Sequence, residues 1–135
     1  MVEVVNRQRG KKIATAQWVN RTNEMLEAIG KAESSVTIAF ISDRTIRNLN
    51  RQFRGLDKAT DVLSFPNDPE SDELGEIAIS IETAARQAKE NGLTLNGEIS
   101  QLILHGLLHL SGHDHETDNG EMNKMELRLR RRLRI

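Results

Sequence analysis

The sequence has 135 residues, of which 37% are hydrophobic and 29% charged, a composition typical of one compact soluble domain and unlike a disordered or membrane chain. The net charge is only -1, and cysteine is absent, which excludes disulfides, thiolate metal ligands and a thiol nucleophile. No apolar run approaches the roughly 18 residues of a membrane span, and the start has no signal-peptide core. We therefore expect one cytoplasmic domain, residues 1–135, without a membrane partner.

Hydrophobic periodicity predicts alternating short strands and helices along the chain. Strands are predicted at residues 2–5, 36–41, 61–65 and 76–81, and a long acidic loop at 67–75 separates the last two. Helices are predicted at residues 13–29, 42–53, 80–91 and 95–110, followed by a last helix opened by a capping box of Asp118 and Glu121. This order indicates an α+β fold in which a small mixed β-sheet packs with about five helices.

Apolar spacing predicts which face each helix buries. In the helix over 42–53, which Ser42 should cap, the predicted buried stripe is Ile46, Leu49 and Phe53. In the last helix the predicted stripe is Met122, Met125, Leu129 and Leu133. The helix over 95–110 is apolar on almost every side from residue 102 onward except for two histidines. We therefore expect this helix to be central and buried.

Charges are segregated along the chain. Residues 68–82 contain six carboxylates and no cation, so this stretch should repel polyanions. The last eight residues contain five arginines, namely Arg128, Arg130, Arg131, Arg132 and Arg134. Two interpretations of this cluster have equal weight. It either binds phosphate, or it forms a solvated helix face whose cations favour the helix C-terminus.

Three histidines near the end of the central helix predict a metal site. His105 and His109 are four residues apart, so on a helix both imidazoles project from the same face. Gly112 can leave the helix and turn the chain so that His115 also reaches the metal. A lone histidine here would usually be structural, but three at this spacing leave a fourth position open for water, as in catalytic zinc sites. The sequence therefore predicts one Zn²⁺ per chain.

The histidine spacing matches that of the metzincin proteases with one difference. Those enzymes carry a general-base glutamate directly after the first histidine, where this chain has Gly106. A three-histidine zinc ion lowers the pKa of bound water towards 7, so it needs no protein carboxylate and suits phosphodiester cleavage. Asp114 is either a carboxylate that orients a ligand imidazole or an exposed turn residue.

Three blocks of the sequence resemble the YbeY family of bacterial endoribonucleases. They are HGLLHLSGHDHE at 105–116, NRQFRGLDKATDVLSFP at 50–66 and LGEIAIS at 74–80, where Glu76 replaces the family's common Asp. The resemblance implies a zinc-dependent, single-strand-specific endoribonuclease acting in maturation of ribosomal RNA, at the 3' end of 16S rRNA, and in ribosome quality control. The implied partners are single-stranded RNA, ribosomal RNA and the small ribosomal subunit. The implied site comprises His105, His109 and His115 as ligands and a functionally important Arg54.

Arg54 and the loop after it allow more than one interpretation. The guanidinium of Arg54 could hold a phosphate in the transition state, although its position alone favours a helix C-terminal cation. Thr60 and Asp61 either brace a pocket or cap the loop through backbone hydrogen bonds, and we assign them no catalytic role.

Two other functions remain open at this point. One is a zinc peptidase or amidase, which Gly106 disfavours. The other is a non-catalytic ribosome-assembly module stabilised by zinc, which the open fourth ligand position disfavours. No feature of the sequence indicates an oligomeric state.

Overall fold

The computed structural model describes residues 1–112 and 120–135, and these form four strands and five helices. The strands are β1 (Val2–Asn6), β2 (Ser35–Ile41), β3 (Val62–Pro66) and β4 (Glu73–Ser80). The helices are α1 (Thr15–Ala28), α2 (Asp43–Arg54), α3 (Ile81–Glu90), α4 (Leu95–Leu110) and α5 (Glu121–Leu133). Every predicted element is present within a few residues of its expected bounds, and the α+β class is confirmed.

The strands form one mixed sheet in the order β1-β2-β4-β3. β1 pairs parallel with β2, and β2 parallel with β4, whereas β3 runs antiparallel to β4 at the edge. The predicted mixed sheet is therefore confirmed, but the acidic loop is shorter than predicted because β4 begins at Glu73. The first residues of this strand carry no alternating apolar pattern, so periodicity does not predict them. One of them is Gly75, which has a φ of 142° and lies against the Phe65 carbonyl, where a side chain would not fit.

Helices cover both faces of the sheet. On one face α1 and α4 pack over the fully buried side chains of Ile38, Phe40, Ile77 and Ile79. On the other face α2 buries Ile46 against Ile41, Leu63 and Ala78. α4 also contacts α3 and α5, so its apolar residues are surrounded by helices and sheet. No helix within residues 1–112 and 120–135 combines the length and apolar character needed to cross a bilayer.

Helix ends and faces follow the predictions with two errors. The hydroxyls of Ser42 and Ser80 accept hydrogen bonds from the backbone N–H groups of Thr45 and Thr83, which confirms both predicted caps. The prediction that Phe53 belongs to the buried stripe is wrong, because its surface is 61% exposed. α2 instead turns Asn50, four residues after Ile46, into the interior. In the last helix Met122 and Leu129 are buried as predicted, whereas Met125 and Leu133 are only partly buried. The predicted capping box is wrong, because α5 begins at Glu121 with Gly120 as its N-cap; Asp118 lies outside the described residues.

Asp43 joins the starts of α2 and α3. Its Oδ1 accepts hydrogen bonds from the hydroxyls of Ser80 and Thr83, both at 2.6 Å, and its Oδ2 accepts one from Arg86 at 2.8 Å. Partial burial alone would raise the pKa of Asp43, but these hydrogen bonds and the charge of Arg86 together lower it below its ordinary value. The ionised carboxylate therefore stabilises the fold.

Gly106 of α4 lies close to the sheet, against Ile77 of β4. A Cβ atom at this position would lie 2.9 Å from Cδ1 and 3.1 Å from Cγ2 of the fully buried Ile77 on β4. The Cα–Cβ direction at position 106 thus points into the core between α4 and β4. A glutamate here, as the metzincin pattern has it, would have to displace Ile77.

We predict that Asp43→Asn lowers the free energy of unfolding at pH 7 by about 1–3 kcal/mol, the scale for hydrogen bonds to a charged group. A lowered pKa gives stability that is present above the unfolded-state pKa and is lost as pH falls through the folded-state pKa. The difference between parent and variant in urea unfolding should therefore shrink below about pH 4. Asp57→Asn is the control, since both side chains of the Arg47–Asp57 pair are more than half exposed. A difference that does not shrink at any acidic pH at which the parent still folds contradicts this role.

We predict that Gly106→Ala destabilises the protein by about 1 kcal/mol, because overpacking at a cost of roughly 1–3 kcal/mol exceeds the roughly 1 kcal/mol gain in helix propensity. Ile77→Val removes Cδ1, the atom nearest to the added methyl group. Gly106→Ala should therefore cost less in an Ile77→Val background, as measured by a double-mutant cycle of denaturant unfolding. An alanine variant more stable than the parent would disprove the close packing.

Candidate metal centre

His105 and His109 form the accessible strip of the C-terminal half of α4. The intervening Gly106, Leu107 and Leu108 are all buried, whereas both histidines are only half-buried. Four residues correspond to slightly more than one helical turn, so the two imidazoles lie one above the other. Packing of the apolar residues thus directs both rings to the same side of the helix.

The two rings are close enough to bind one metal ion. Their Nε2 atoms are 3.0 Å apart, and their ring centroids are 4.6 Å apart. Two nitrogen ligands at 2.0–2.1 Å from a tetrahedral zinc ion lie about 3.3 Å apart, so the pair fits such a site. No group of three potential metal ligands occurs among residues 1–112 and 120–135. His115, the predicted third ligand, lies outside the described residues, as do His113 and Asp114, and its role stays a prediction.

Glu126 of α5 contacts the first of these histidines. Its Oε1 lies 2.7 Å from His105 Nδ1, and its Oε2 accepts a hydrogen bond from Arg130 Nη2, also at 2.7 Å. The sequence analysis did not single out Glu126. A signal was present, because Glu126 lies four residues after Met122 and three before Leu129, on the buried stripe of α5. A carboxylate on an apolar stripe requires a polar partner.

The contact between Glu126 and Arg130 also separates Arg130 from the rest of the C-terminal arginine cluster. Arg128, Arg131, Arg132 and Arg134 are exposed, whereas Arg130 is half-buried beside Glu126. Arg130, Arg131 and Arg132 lie in the last turn of α5, where cations favour the helix C-terminus. Phosphate binding by the exposed members stays a prediction.

A cleft of about 510 Å³ brings Arg54 and the two histidines together. Residues 60–64 and Pro66 of the third strand and the turn before it form one wall, and His105, His109 and Leu110 of α4 form another. Arg54 lies in the last turn of α2, so it is both a helix C-terminal cation and a residue of the cleft. Within the described part of the chain no carboxylate pairs with Arg54, although Arg47, Arg86 and Arg130 all have such partners. Its guanidinium is therefore available to an anion in the cleft.

The loop after Arg54 is held by hydrogen bonds. Gly55 ends α2 with a φ of 71°, and the side chain of Asn50 donates to the Lys58 carbonyl at 3.0 Å. Arg47 donates two hydrogen bonds to Asp57, and these together with its charge lower the pKa of the Asp57 carboxyl. These hydrogen bonds therefore join residues before Arg54 in the sequence to residues after it, and so order the chain on this wall of the cleft.

Asp61 uses its carboxylate to order this same wall. Its Oδ1 accepts hydrogen bonds from the Val62 backbone N–H at 2.7 Å and from the Thr60 hydroxyl at 3.3 Å. Of the two interpretations of Thr60 and Asp61, loop capping is thus the one observed. Both residues also line the cleft.

A second cleft, of about 690 Å³, adjoins the first and shares Asp61, Val62 and His105 with it. Glu90, Glu98 and Glu126 also line it, and Arg130, the one cation among the described residues of its lining, is paired with Glu126. Electrostatic repulsion therefore disfavours a phosphate in this second cleft. A phosphate is favoured in the first cleft, where Arg54 attracts it.

Glu76 belongs to neither of these clefts. It is exposed and lines a cavity of about 450 Å³ on the α2 side of the sheet, together with Phe53 and Phe65. The replacement of the family's common Asp at this position therefore leaves the histidine cleft unchanged.

Comparison with known proteins shows the family to which this chain belongs. The family model described as Endoribonuclease YbeY matches residues 3–134. Endoribonuclease YbeY of Nautilia profundicola is 44% identical over 118 residues, which make up 87% of this chain and 84% of that protein. Endoribonuclease YbeY of Koribacter versatilis is 51% identical over 100 residues, 74% of this chain and 65% of that protein.

The fold is also that of a solved protein. The solution structure of TM1509 from Thermotoga maritima superposes with a TM-score of 0.67 at 30% identity, covering 98% of this chain and 89% of that one. The predicted resemblance is confirmed, and the chain belongs to the YbeY family.

Proposed function

We propose that this protein is a cytoplasmic, zinc-dependent endoribonuclease that cleaves single-stranded RNA during maturation of ribosomal RNA. The observation that carries the proposal is the cleft in which Arg54 faces His105 and His109. The name endoribonuclease, borne by its curated relatives, supports an RNA substrate. Following the family resemblance, we place its action at the 3' end of 16S rRNA and in ribosome quality control, with the small ribosomal subunit as partner.

The metal in this proposal is one zinc ion held by His105, His109 and His115. A bound zinc ion supplies Lewis acidity, which polarises a phosphoryl oxygen and activates water near neutral pH. The two described histidines contribute ring nitrogens on one side of the cleft, at a spacing that suits a shared ion. Their apolar surroundings on α4 keep both rings in place.

Arg54 supplies the positive charge on the opposite wall. A guanidinium presents paired N–H donors that match two phosphate oxygens, so it would both orient the scissile phosphate and stabilise the negative charge of the transition state. The loop at 55–60, which follows Arg54, is held by the hydrogen bonds of Asn50 and Arg47 before substrate arrives. Substrate binding then does not have to order this wall of the cleft.

The dimensions of the cleft favour a single strand. A volume of about 510 Å³ is within the range of sites for small ligands, so we expect it to hold a nucleotide of an unpaired strand. The acidic lining of the adjoining cleft would direct the backbone phosphates towards Arg54. The peptidase alternative loses support because position 106, where a metzincin base would stand, is packed against Ile77.

Cleavage assays with the zinc-loaded protein test this function. A single-stranded RNA, the same RNA as a duplex and an unfolded protein are incubated with and without a chelator. We expect cleavage of the single strand alone, and its loss with chelator. His109→Ala, purified identically, should lose bound zinc, cleavage and thermal stability together, because metal binding is coupled to folding. Full zinc content in this variant, or RNA cleavage undiminished by the chelator, would refute the metal centre.

Arg54→Ala separates catalysis from folding. We expect RNA cleavage to fall by about a hundredfold or more, the scale for removing one preorganised donor, with zinc content and unfolding temperature unchanged. Arg54→Lys should rescue only partly, because an ammonium keeps the charge but loses the two-pronged contact. Arg51→Ala is the matched control, since Arg51 is on the same helix but lines a different cavity with Asp57. Cleavage at the parental rate by Arg54→Ala would remove Arg54 from the mechanism.

A further inference from the structure

We propose that Glu126 is a positioning residue of the metal centre, which holds His105 as the tautomer with a proton on Nδ1, and that Arg130 in turn holds Glu126. The inference rests on the proposed zinc site and extends it to α5, a helix that contributes no predicted ligand. It assigns a role to the one arginine of the C-terminal cluster that is bonded to a buried carboxylate.

The hydrogen bond between Glu126 and His105 determines the tautomer. A carboxylate can only accept, so at 2.7 Å the Nδ1 of His105 must donate its proton to Oε1. The neutral ring then has its lone pair on Nε2, the atom that lies 3.0 Å from Nε2 of His109. The contact therefore directs the metal-binding nitrogen of His105 towards its partner ligand.

Burial makes the contact more than incidental. The side chain of Glu126 is 7% exposed and that of His105 is 30% exposed, so solvent screens their interaction little. A carboxylate in this position loses hydration, and an apolar residue on the stripe with Met122 and Leu129 would pack without that cost. The position of Glu126 on the stripe thus follows from what its oxygens bind.

Arg130 completes the arrangement from one turn further along α5. Its Nη2 donates to Oε2 of Glu126 at 2.7 Å, in an i,i+4 pair. One carboxylate oxygen is therefore committed to the histidine and the other to the guanidinium. This division fixes the rotation of the carboxylate, and with it the orientation of the His105 ring.

The tautomer of His105 in the metal-free parent protein is the first test. Two-bond and three-bond ¹⁵N–¹H correlation spectra distinguish a proton on Nδ1 from one on Nε2 without zinc and without RNA. We expect His105 to carry its proton on Nδ1. A His105 ring protonated on Nε2 overturns the proposal.

Zinc affinity of variants is the second test. Glu126→Gln removes the charge at nearly constant shape and should raise the zinc dissociation constant by about 10- to 100-fold, the usual effect of losing such a partner. Arg130→Met should raise it less, because the carboxylate remains. The controls are Glu27→Gln and Arg128→Met, both exposed positions. A folded Glu126→Gln that binds zinc as the parent does overturns the proposal.

The outcomes also separate this inference from the proposed function. A parent protein with the expected tautomer and the expected loss of zinc affinity in Glu126→Gln, but without RNA cleavage, would refute the nuclease and leave the positioning role intact. RNA cleavage by the parent protein, together with normal zinc affinity in Glu126→Gln, would support the nuclease and refute the positioning role. If Glu126→Gln fails to fold, the tautomer of the parent protein decides.

Discussion

Packing of α4 against β4 determines which side chains of that helix are available for chemistry. Gly106 allows the helix backbone to approach Ile77 so closely that no other residue fits without displacement. A close-packed core resists rotation of the helix about its axis, because any rotation would open a cavity on one side and cause a clash on the other. His105 and His109 are consequently presented to the cleft by apolar contacts, and the polar groups around them only refine their orientation.

Charge is distributed unevenly around the strip of histidines. Two arginines of this part of the fold are paired with carboxylates, Arg47 with Asp57 and Arg130 with Glu126. Within the described residues Arg54 has no such partner, and it lines the histidine cleft but not the adjoining acidic cleft. A polyanion approaching the metal centre therefore meets attraction from one direction and repulsion from the other. This asymmetry gives the cleft a direction along which a strand of RNA would lie, although the net charge of the chain is only -1.

Much of the fold follows from local patterns in the sequence. Ser42 and Ser80 mark helix starts because their hydroxyls satisfy backbone donors, and α4 has the bounds that its apolar run predicts. The errors occur where tertiary contacts override the local pattern. The buried stripe of α2 is narrow and leaves Phe53 exposed. Asn50 lies on this stripe, and its side chain donates a hydrogen bond to the loop that follows the helix. β4 begins early because Glu73 pairs with Ser35 of β2 and Gly75 with Pro66 of β3, and periodicity cannot show such pairings.

Parts of the candidate site that are close together in the sequence were easier to predict than parts that are far apart. His105 and His109 share one helix, so their spacing alone places them together. Arg54 is about fifty residues away in sequence, and the family resemblance rather than periodicity pointed to it. Glu126 was missed because it is recognisable only as a polar residue on an apolar stripe, and its partner is on another helix. A charged residue on such a stripe must be paired or hydrated, so it predicts a contact even when the partner is unknown. In this protein that contact connects the last helix to His105 of the proposed metal centre, and through it we assign α5 a role beyond the core.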